Sequence, residues 1–284
     1  MRNTVAFILS TRHSGSHLLA QLLGSHSRCL SIGELGNFSK LQRGVHRYEL
    51  VHDYATNPFF AGLAALDPTE WHARIFANSR AYRPRVAALI DNSKHIDWAR
   101  HFDRAIGFDA VYLHLIRDPR AIVQRWLGTY AGRRARASER WRLARTQVSE
   151  VASALFGPMD RVMLRKWVLA NRAITDFVST RPRSALVLYD DLVRAPEETL
   201  QRLMPTLGLD FEASQREYGR VAHAGTLKRA YLGASARSLI APDLRWRAEL
   251  PVTAIGRIER CRATARYLAE IGMELTVDRL RRLQ

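Results

Sequence analysis

Residues 6–26 read AFILSTRHSGSHLLAQLLGSH. An apolar run ends at Leu9, a short loop with one glycine follows, and a helical pattern of leucines begins near Ser16. This order commits the start of the chain to a buried strand, a tight loop and a helix. The first backbone N–H groups of a helix have no internal partner, and the helix dipole adds positive potential there. Such a junction therefore draws anions. Gly15 lets the backbone approach an oxyanion closely; Ser14 and Ser16 bring hydroxyl donors, and Arg12 and His13 bring charge. An ordinary strand-to-helix turn with a serine N-cap accounts for the same residues. A loop that grips a γ-phosphate ends in Gly-Lys-Ser or Gly-Lys-Thr, but here Ser16 and His17 follow Gly15. The lysine is missing.

The rest of the chain repeats the alternation. Apolar runs at 4–9, 86–90, 111–116 and 185–189 predict strands buried on both faces. Helical patterns cover 16–25, 68–79, 119–130, 138–155, 159–179, 196–206 and 252–270, the last opened by Pro251 and Thr253. The expected fold class is α/β: one domain over residues 1–284, with a central parallel sheet of four or five strands flanked by helices. No repeat or low-complexity tract divides it.

Charge narrows the partners. Lys plus Arg number 44 against 27 Asp plus Glu, a net +17, so the chain should attract anions; arginine scattered over solvated faces explains part of the excess. The run GRRARASERWRLAR at 132–145 reads either as a solvated helix face, with Trp141 and Leu143 as anchors, or as a basic flap over an acidic ligand. Two cysteines, Cys29 and Cys261, are too few for a disulfide framework or a zinc cluster. With no membrane-length apolar run and no leader pattern, the expected location is the cytoplasm and the expected chain complete.

Three more segments place chemistry at strand ends. In YLHLIRDPRAIVQRW (112–126) a buried strand delivers Arg117 to the sheet's carboxyl edge, where open α/β sheets bind ligands. Asp118 fits an N-cap and Pro119 the first helical position. Arg120 and Arg125 follow on the helix, and a guanidinium fork suits a phosphate monoester. In IDNSKHIDWARHF (90–102), Ser93 and Lys94 follow a strand. In LVLYDDLVRAPEETLQRLMPTLGLDF (186–211), the strand ends in Tyr189-Asp190-Asp191. His114 lies inside a strand pattern and reads as a core side chain.

Together these segments resemble the sulfotransferases that use 3′-phosphoadenosine 5′-phosphosulfate (PAPS). Arg12-His13-Ser14-Gly15-Ser16-His17 resembles the family's 5′-phosphosulfate loop, a P-loop-like element, and Arg117-Asp118-Pro119-Arg120 resembles its 3′-phosphate segment. The Tyr-Asp-Asp-Leu-Val stretch resembles a structural segment of the family, and HAGTLKRAY (223–231) and PDLRWRAEL (242–250) resemble its closing segments. The resemblance implies that a sulfuryl group moves from PAPS to a hydroxyl of a glycan, lipid or small metabolite. Adenosine 3′,5′-bisphosphate is then the product, with no metal, nucleic acid or integral membrane involved. The absent Gly-Lys-Ser ending fits, because PAPS has no γ-phosphate.

It also implies roles. Arg12, Ser14, Gly15, Ser16, His17 and Leu18 cradle the 5′-phosphosulfate, Arg117 and Arg125 hold the 3′-phosphate, and Lys228 and Arg229 add donor contacts. Lys94 and His13 stabilise the departing oxygen, His13 standing where the family commonly has Lys or Arg, and Arg125 where it commonly has Ser. Glu34, in CLSIGELGNF (29–38), is the expected general base, its pKa lifted by burial; His17, His52 and His95 are the histidine alternatives. Two competing readings remain: a nucleotide-dependent kinase, and a basic polyanion-binding protein on an inactive sulfotransferase fold.

Overall fold

Strand β1 (Asn3–Ser10) runs into the Gly15 loop and helix α1 (Ser16–Gly24), which returns the chain to strand β2 (Cys29–Gly33). The computed structural model describes residues 2–38, 57–103, 107–146, 151–221 and 240–283. Helix α2 (Trp71–Ser79) precedes strand β3 (Ala88–Lys94), the short helix α3 (Ile96–Arg100) and strand β4 (Phe108–Ile116). Helices α4 (Pro119–Thr129), α5 (Arg133–Thr146), α6 (Val151–Phe156) and α7 (Met159–Ser179) then lead to strand β5 (Ser184–Leu188).

The five strands form one parallel sheet in the order β2-β3-β1-β4-β5. β1 sits at its centre because it is apolar on both faces. Val5, Phe7 and Leu9 pack into one cluster with Trp71, Phe102 and Phe177. Ala6 and Ile8 pack into another with Leu19, Leu22 and Leu23 of α1. The connection from β1 leads toward β2 and that from β4 leads toward β5, so the order reverses between β1 and β4. In open α/β sheets the crevice at such a switch point is where ligands bind.

Five parallel strands flanked by helices match the expected class. The differences are local. β2 escapes a pattern search because Cys29–Gly33 is short and ends in Ser-Ile-Gly. β3 continues four residues past its apolar run, through Asp91 to Lys94, because buried partners satisfy those polar side chains. The predicted helix at 138–155 starts earlier, at Arg133, and gives way to α6; residues 147–150 lie outside the described residues. Helix α8 (Tyr189–Arg194) follows β5 without a loop, and α9 (Pro196–Leu203) ends in a 3-10 turn at Met204–Leu207.

Beyond α10 (Trp246–Glu249), the predicted helix at 252–270 is two helices, α11 (Val252–Glu259) and α12 (Arg262–Glu270), broken where Cys261 turns extended. The break lets Ile258 of α11 and Tyr267 and Leu268 of α12 all enter one core with Trp167 of α7. An antiparallel pair, β6 (Met273–Leu275) and β7 (Leu280–Arg282), closes the chain. No helix among the described residues is long and apolar enough to cross a membrane.

Arg120 ties this C-terminal part to the sheet. Its side chain is fully buried and donates to Asp118 at 2.7 Å, to Glu259 at 2.6 Å and to the Val277 carbonyl at 3.0 Å. Its guanidinium also lies 4.0 Å from the Trp246 ring centroid. Arg120 is therefore a structural cation and no part of a phosphate fork. Removing it strands the buried Asp118 carboxylate, which also caps α4 through the Arg120 N–H at 2.8 Å. Arg120→Ala should lower stability by about 3–5 kcal/mol, read as a fall in the urea midpoint.

Candidate active site

The parallel order brings the carboxyl ends of β3, β1 and β4 side by side. Leu9 pairs with Lys94 across one side of β1, after a bulge in the register, and Ser10 pairs with Leu115 across the other. The Gly15 loop, Lys94 and Arg117 therefore share one edge of the sheet.

The loop is shaped by its own contacts. The Ser14 and Thr11 hydroxyls lie 2.8 Å apart, and both residues are buried. His13 and Gly15 adopt positive φ, 71° and 93°, turning the chain sharply into α1. The first intrahelical bond runs from Leu19 N–H to the Gly15 carbonyl at 3.1 Å, so the N–H groups of Ser16, His17 and Leu18 precede the ladder. The Leu18 side chain packs against the core beneath α1. Arg12 and His13 are exposed.

Arg117 clasps the loop from the neighbouring strand. It donates to the His13 carbonyl at 2.8 Å, and its guanidinium stacks 4.2 Å from the Tyr189 ring centroid. Its remaining face meets the Asp243 carboxylate at 3.1 Å. Hydrogen bonds from Arg245, then the contact with Arg117, hold the Asp243 carboxyl well below the usual range despite its partial burial. Tyr189 in turn presses on the loop: a Cβ at Gly15 would stand 2.5 Å from its ring. The crevice between Arg117, Tyr189, Asp243 and Trp246 holds only about 10 Å³, room for at most one water. Arg125 lies one turn beyond Ala121, which lines this crevice, and its Nε is buried with no hydrogen-bond partner among the described residues.

On the other side of β1, Glu34, Lys94 and His17 form a compact cluster. Lys94 Nζ donates to the Glu34 carboxylate, His17 Nε2 lies 3.1 Å from it, and Asn37 donates to it at 2.6 Å. The Asn92 amide lies 3.2 Å from His17 Nδ1; with Asn92 donating there, His17 presents Nε2–H to Glu34. Burial opposes ionisation of Glu34, but the His17 hydrogen bond and the Lys94 charge outweigh it and hold the carboxyl well below the ordinary range. The sequence expectation of a raised pKa is thus corrected: burial came with two cationic or donor partners on one carboxylate. Burial pulls the Lys94 ammonium down, and Glu34 offsets part of that pull.

This cluster rests on Asp91. Its buried carboxylate takes hydrogen bonds from His72 Nε2 at 3.0 Å, Trp98 Nε1 at 2.8 Å and the Ser93 N–H at 2.9 Å. The Ser93 hydroxyl donates to the same carboxylate and accepts the Gly36 N–H at 2.8 Å, which fixes the turn carrying Glu34.

A family model for the sulfotransferase family matches residues 6–213. The chain belongs to the sulfotransferase family. No curated protein is a significant match. Among solved structures, the sulfotransferase domain from the Synechococcus PCC 7002 olefin synthase is similar, with 23% identity and a TM-score of 0.56 over 91% of this chain and 94% of that one. The sulfotransferase domain from the curacin biosynthetic pathway is similar at 19% identity and a TM-score of 0.53, covering 95% and 97%.

Of the residues expected from sequence, this sulfotransferase brings Arg12, His13, Ser14, Gly15, Ser16, His17, Leu18, Glu34, Lys94, Arg117 and Arg125 to the same sheet edge or the helices that leave it. Lys228, Arg229 and His52 lie outside the described residues. His95 is exposed before α3, and His114 is a buried core residue whose Nε2 meets Asn171 Oδ1 at 3.1 Å, its pKa pushed down to about 4 by burial. Sequence reasoning missed Asn92 and Asp243. Asn92 carried a signal, an amide following an apolar strand; Asp243 lies in the quoted 242–250 segment, but nothing local marked its carboxylate as the partner of Arg117.

Asp190 lies buried beside Asp118 in this crevice, and burial first, then the Asp118 charge, push its carboxyl up to about 6. A carboxyl whose native pKa exceeds its unfolded value of about 3.9 stabilises only while protonated. Its contribution is present below about pH 4 and is lost as pH rises through about 6. Relative to Asp190→Asn, the unaltered protein should lose up to about 3 kcal/mol of stability between those limits, measured as the difference between the two thermal-unfolding profiles across pH.

Proposed function

We propose that this sulfotransferase uses PAPS as its donor and an organic hydroxyl as its acceptor, with the transfer centred on Glu34, His17 and Lys94. One observation carries the reading: the helix N–H groups that precede the α1 ladder, a half-buried lysine–glutamate–histidine cluster and a buried arginine flank the end of β1 at the sheet's carboxyl edge, where no Gly-Lys-Ser lysine is present to grip a γ-phosphate.

The residues fit a doubly anionic nucleotide. A carboxylate, Asp243, already stands on Arg117 in place of an external anion. Ser10 Oγ and Asn92 Oδ1, at the ends of β1 and β3, are buried without hydrogen-bond partners among the described residues. The small free volume over Arg117 means that Asp243 must yield the guanidinium to a phosphate. Arg125, with its unpartnered Nε, supplies the second cation for the 3′-phosphate. The N–H groups of Ser16, His17 and Leu18 and the Ser16 hydroxyl face the 5′ side, with Arg12 and His13 at the rim.

PAPS supplies an activated sulfuryl group whose transfer leaves adenosine 3′,5′-bisphosphate. Lys94 is placed to neutralise charge on the departing oxygen, the largest electrostatic demand of such a transfer. As Lys94 turns from Glu34 to that oxygen, the carboxylate loses its strongest cationic partner and gains basicity. Glu34 then accepts the hydroxyl proton of the acceptor, with His17 holding the carboxylate in place. Acceptors include a glycan, lipid or small metabolite hydroxyl; the expected compartment is the cytoplasm and no metal takes part.

Calorimetry distinguishes this reading from a kinase. Adenosine 3′,5′-bisphosphate should bind at least about tenfold (1.4 kcal/mol) tighter than ATP with Mg²⁺; preference for ATP would overturn the donor assignment. Glu34→Gln should reduce transfer by about 10²–10⁴-fold and leave bisphosphate affinity within a few fold, so unchanged turnover would remove Glu34 from the mechanism.

A further inference from the structure

A second concavity lies away from the sheet edge, among α5, α7, α11 and α12, with a cavity volume of about 410 Å³. That is the size of a small-molecule pocket, and far larger than the voids that close-packed interiors leave. Its floor is apolar: Leu143, Val162, Leu164 and Val168, all buried. Its rim is cationic: Arg161, Arg165, Arg257 and Arg260 line it, and no lining residue carries a carboxylate.

The rim charges are unevenly answered. Arg257 is paired with Asp160 at 2.6 Å. Arg161 and Arg260 are exposed and form no ion pair among the described residues. Thr264, 1% exposed, also lines the cavity, and its Oγ1 has no hydrogen-bond partner among the described residues. A buried hydroxyl left unmatched is destabilising, and a ligand oxygen would relieve it.

We propose that this cavity is a second binding site, taking a single-chain amphipathic carboxylate. The alkyl chain lies on the Leu143–Val162–Leu164–Val168 floor, and the carboxylate meets Arg161 and Arg260 with Thr264 Oγ1 donating. The floor alone would suit any apolar chain and the arginines alone any anion; their juxtaposition around one buried donor selects a molecule with both parts. None of the residues used belongs to the sheet-edge cluster, so the site stands whether or not PAPS is the donor.

The chain carries its own reporter. Cys261 lines the cavity. Cys29, the other cysteine of the sequence, is fully buried, and burial pushes its thiol pKa up. Iodoacetamide labelling of the folded full chain therefore reads Cys261. Decanoate should bind saturably by calorimetry and slow Cys261 labelling by about tenfold or more. Decan-1-ol and inorganic phosphate, each with half of the chemistry, should each bind at least about tenfold (1.4 kcal/mol) more weakly. The doubly substituted Arg161→Glu, Arg260→Glu protein should lose a similar factor in decanoate affinity with its thermal midpoint retained; should it fail to fold, the three-probe comparison decides alone. The proposal is overturned if decanoate does not saturate, if decan-1-ol binds as tightly, or if the folded double variant binds decanoate unchanged. Protection of Cys261 by phosphatidylglycerol vesicles but not by dissolved decanoate would assign the groove to a membrane lipid and equally overturn it.

Discussion

The clasp of Arg117 on the loop after β1 is the contact on which the site depends. A guanidinium from β4 holds a carbonyl in the loop of its neighbour, and Tyr189 from the end of β5 stacks on that guanidinium while its ring occupies the place of a Gly15 side chain. Three adjacent strands thus fix one loop. The positive φ at His13 and Gly15 is strain of about 1–2 kcal/mol for a residue with a Cβ, and the clasp holds it in place. Without it, the helix N–H groups of α1 would face the same solvent but not the same point.

The opposite flank is organised by a buried carboxylate rather than a buried cation. Asp91 gathers His72, Trp98 and Ser93, and through Ser93 the turn that carries Glu34. A bulge between β1 and β3 then offsets the register so that Lys94 ends beside Leu9. Low exposure makes each ionic contact there strong and each missing partner costly. That is why Glu34, read from sequence as a carboxyl raised by burial, is held acidic instead. Burial of one charge brought its counter-charges with it.

Much of this was legible from residue order alone. β1, β4 and β5 declared themselves as apolar runs, Asp118 and Pro119 as a helix start, and the Gly15 loop as a tight turn into a helix. What stayed hidden depends on partners distant in sequence. The polar end of β3 looks like a loop until Asp91 is seen to be satisfied by His72 and Trp98. Arg120 looks like a second phosphate ligand until Glu259 and Trp246 close on it from the far end of the chain. α11 and α12 look like one helix until the shared core with Trp167 requires both to turn inward. Local pattern reports which residues prefer burial; it does not report which charge is spoken for.

Asp243 gives Arg117 a counter-ion built into the chain. A solvent-facing arginine sheds mobile counter-ions when it captures an anion, and its affinity falls steeply as salt is added. Arg117 has no mobile counter-ion to shed, because its partner is covalently part of the chain. Under the proposed function, capture there is an exchange of a tethered carboxylate for an incoming oxyanion. It favours ligands able to form paired hydrogen bonds over those that merely carry charge, and it makes the site less responsive to ionic strength than a net charge of +17 would suggest. In a chain this basic, Asp243 leaves one buried arginine of the crevice already neutralised.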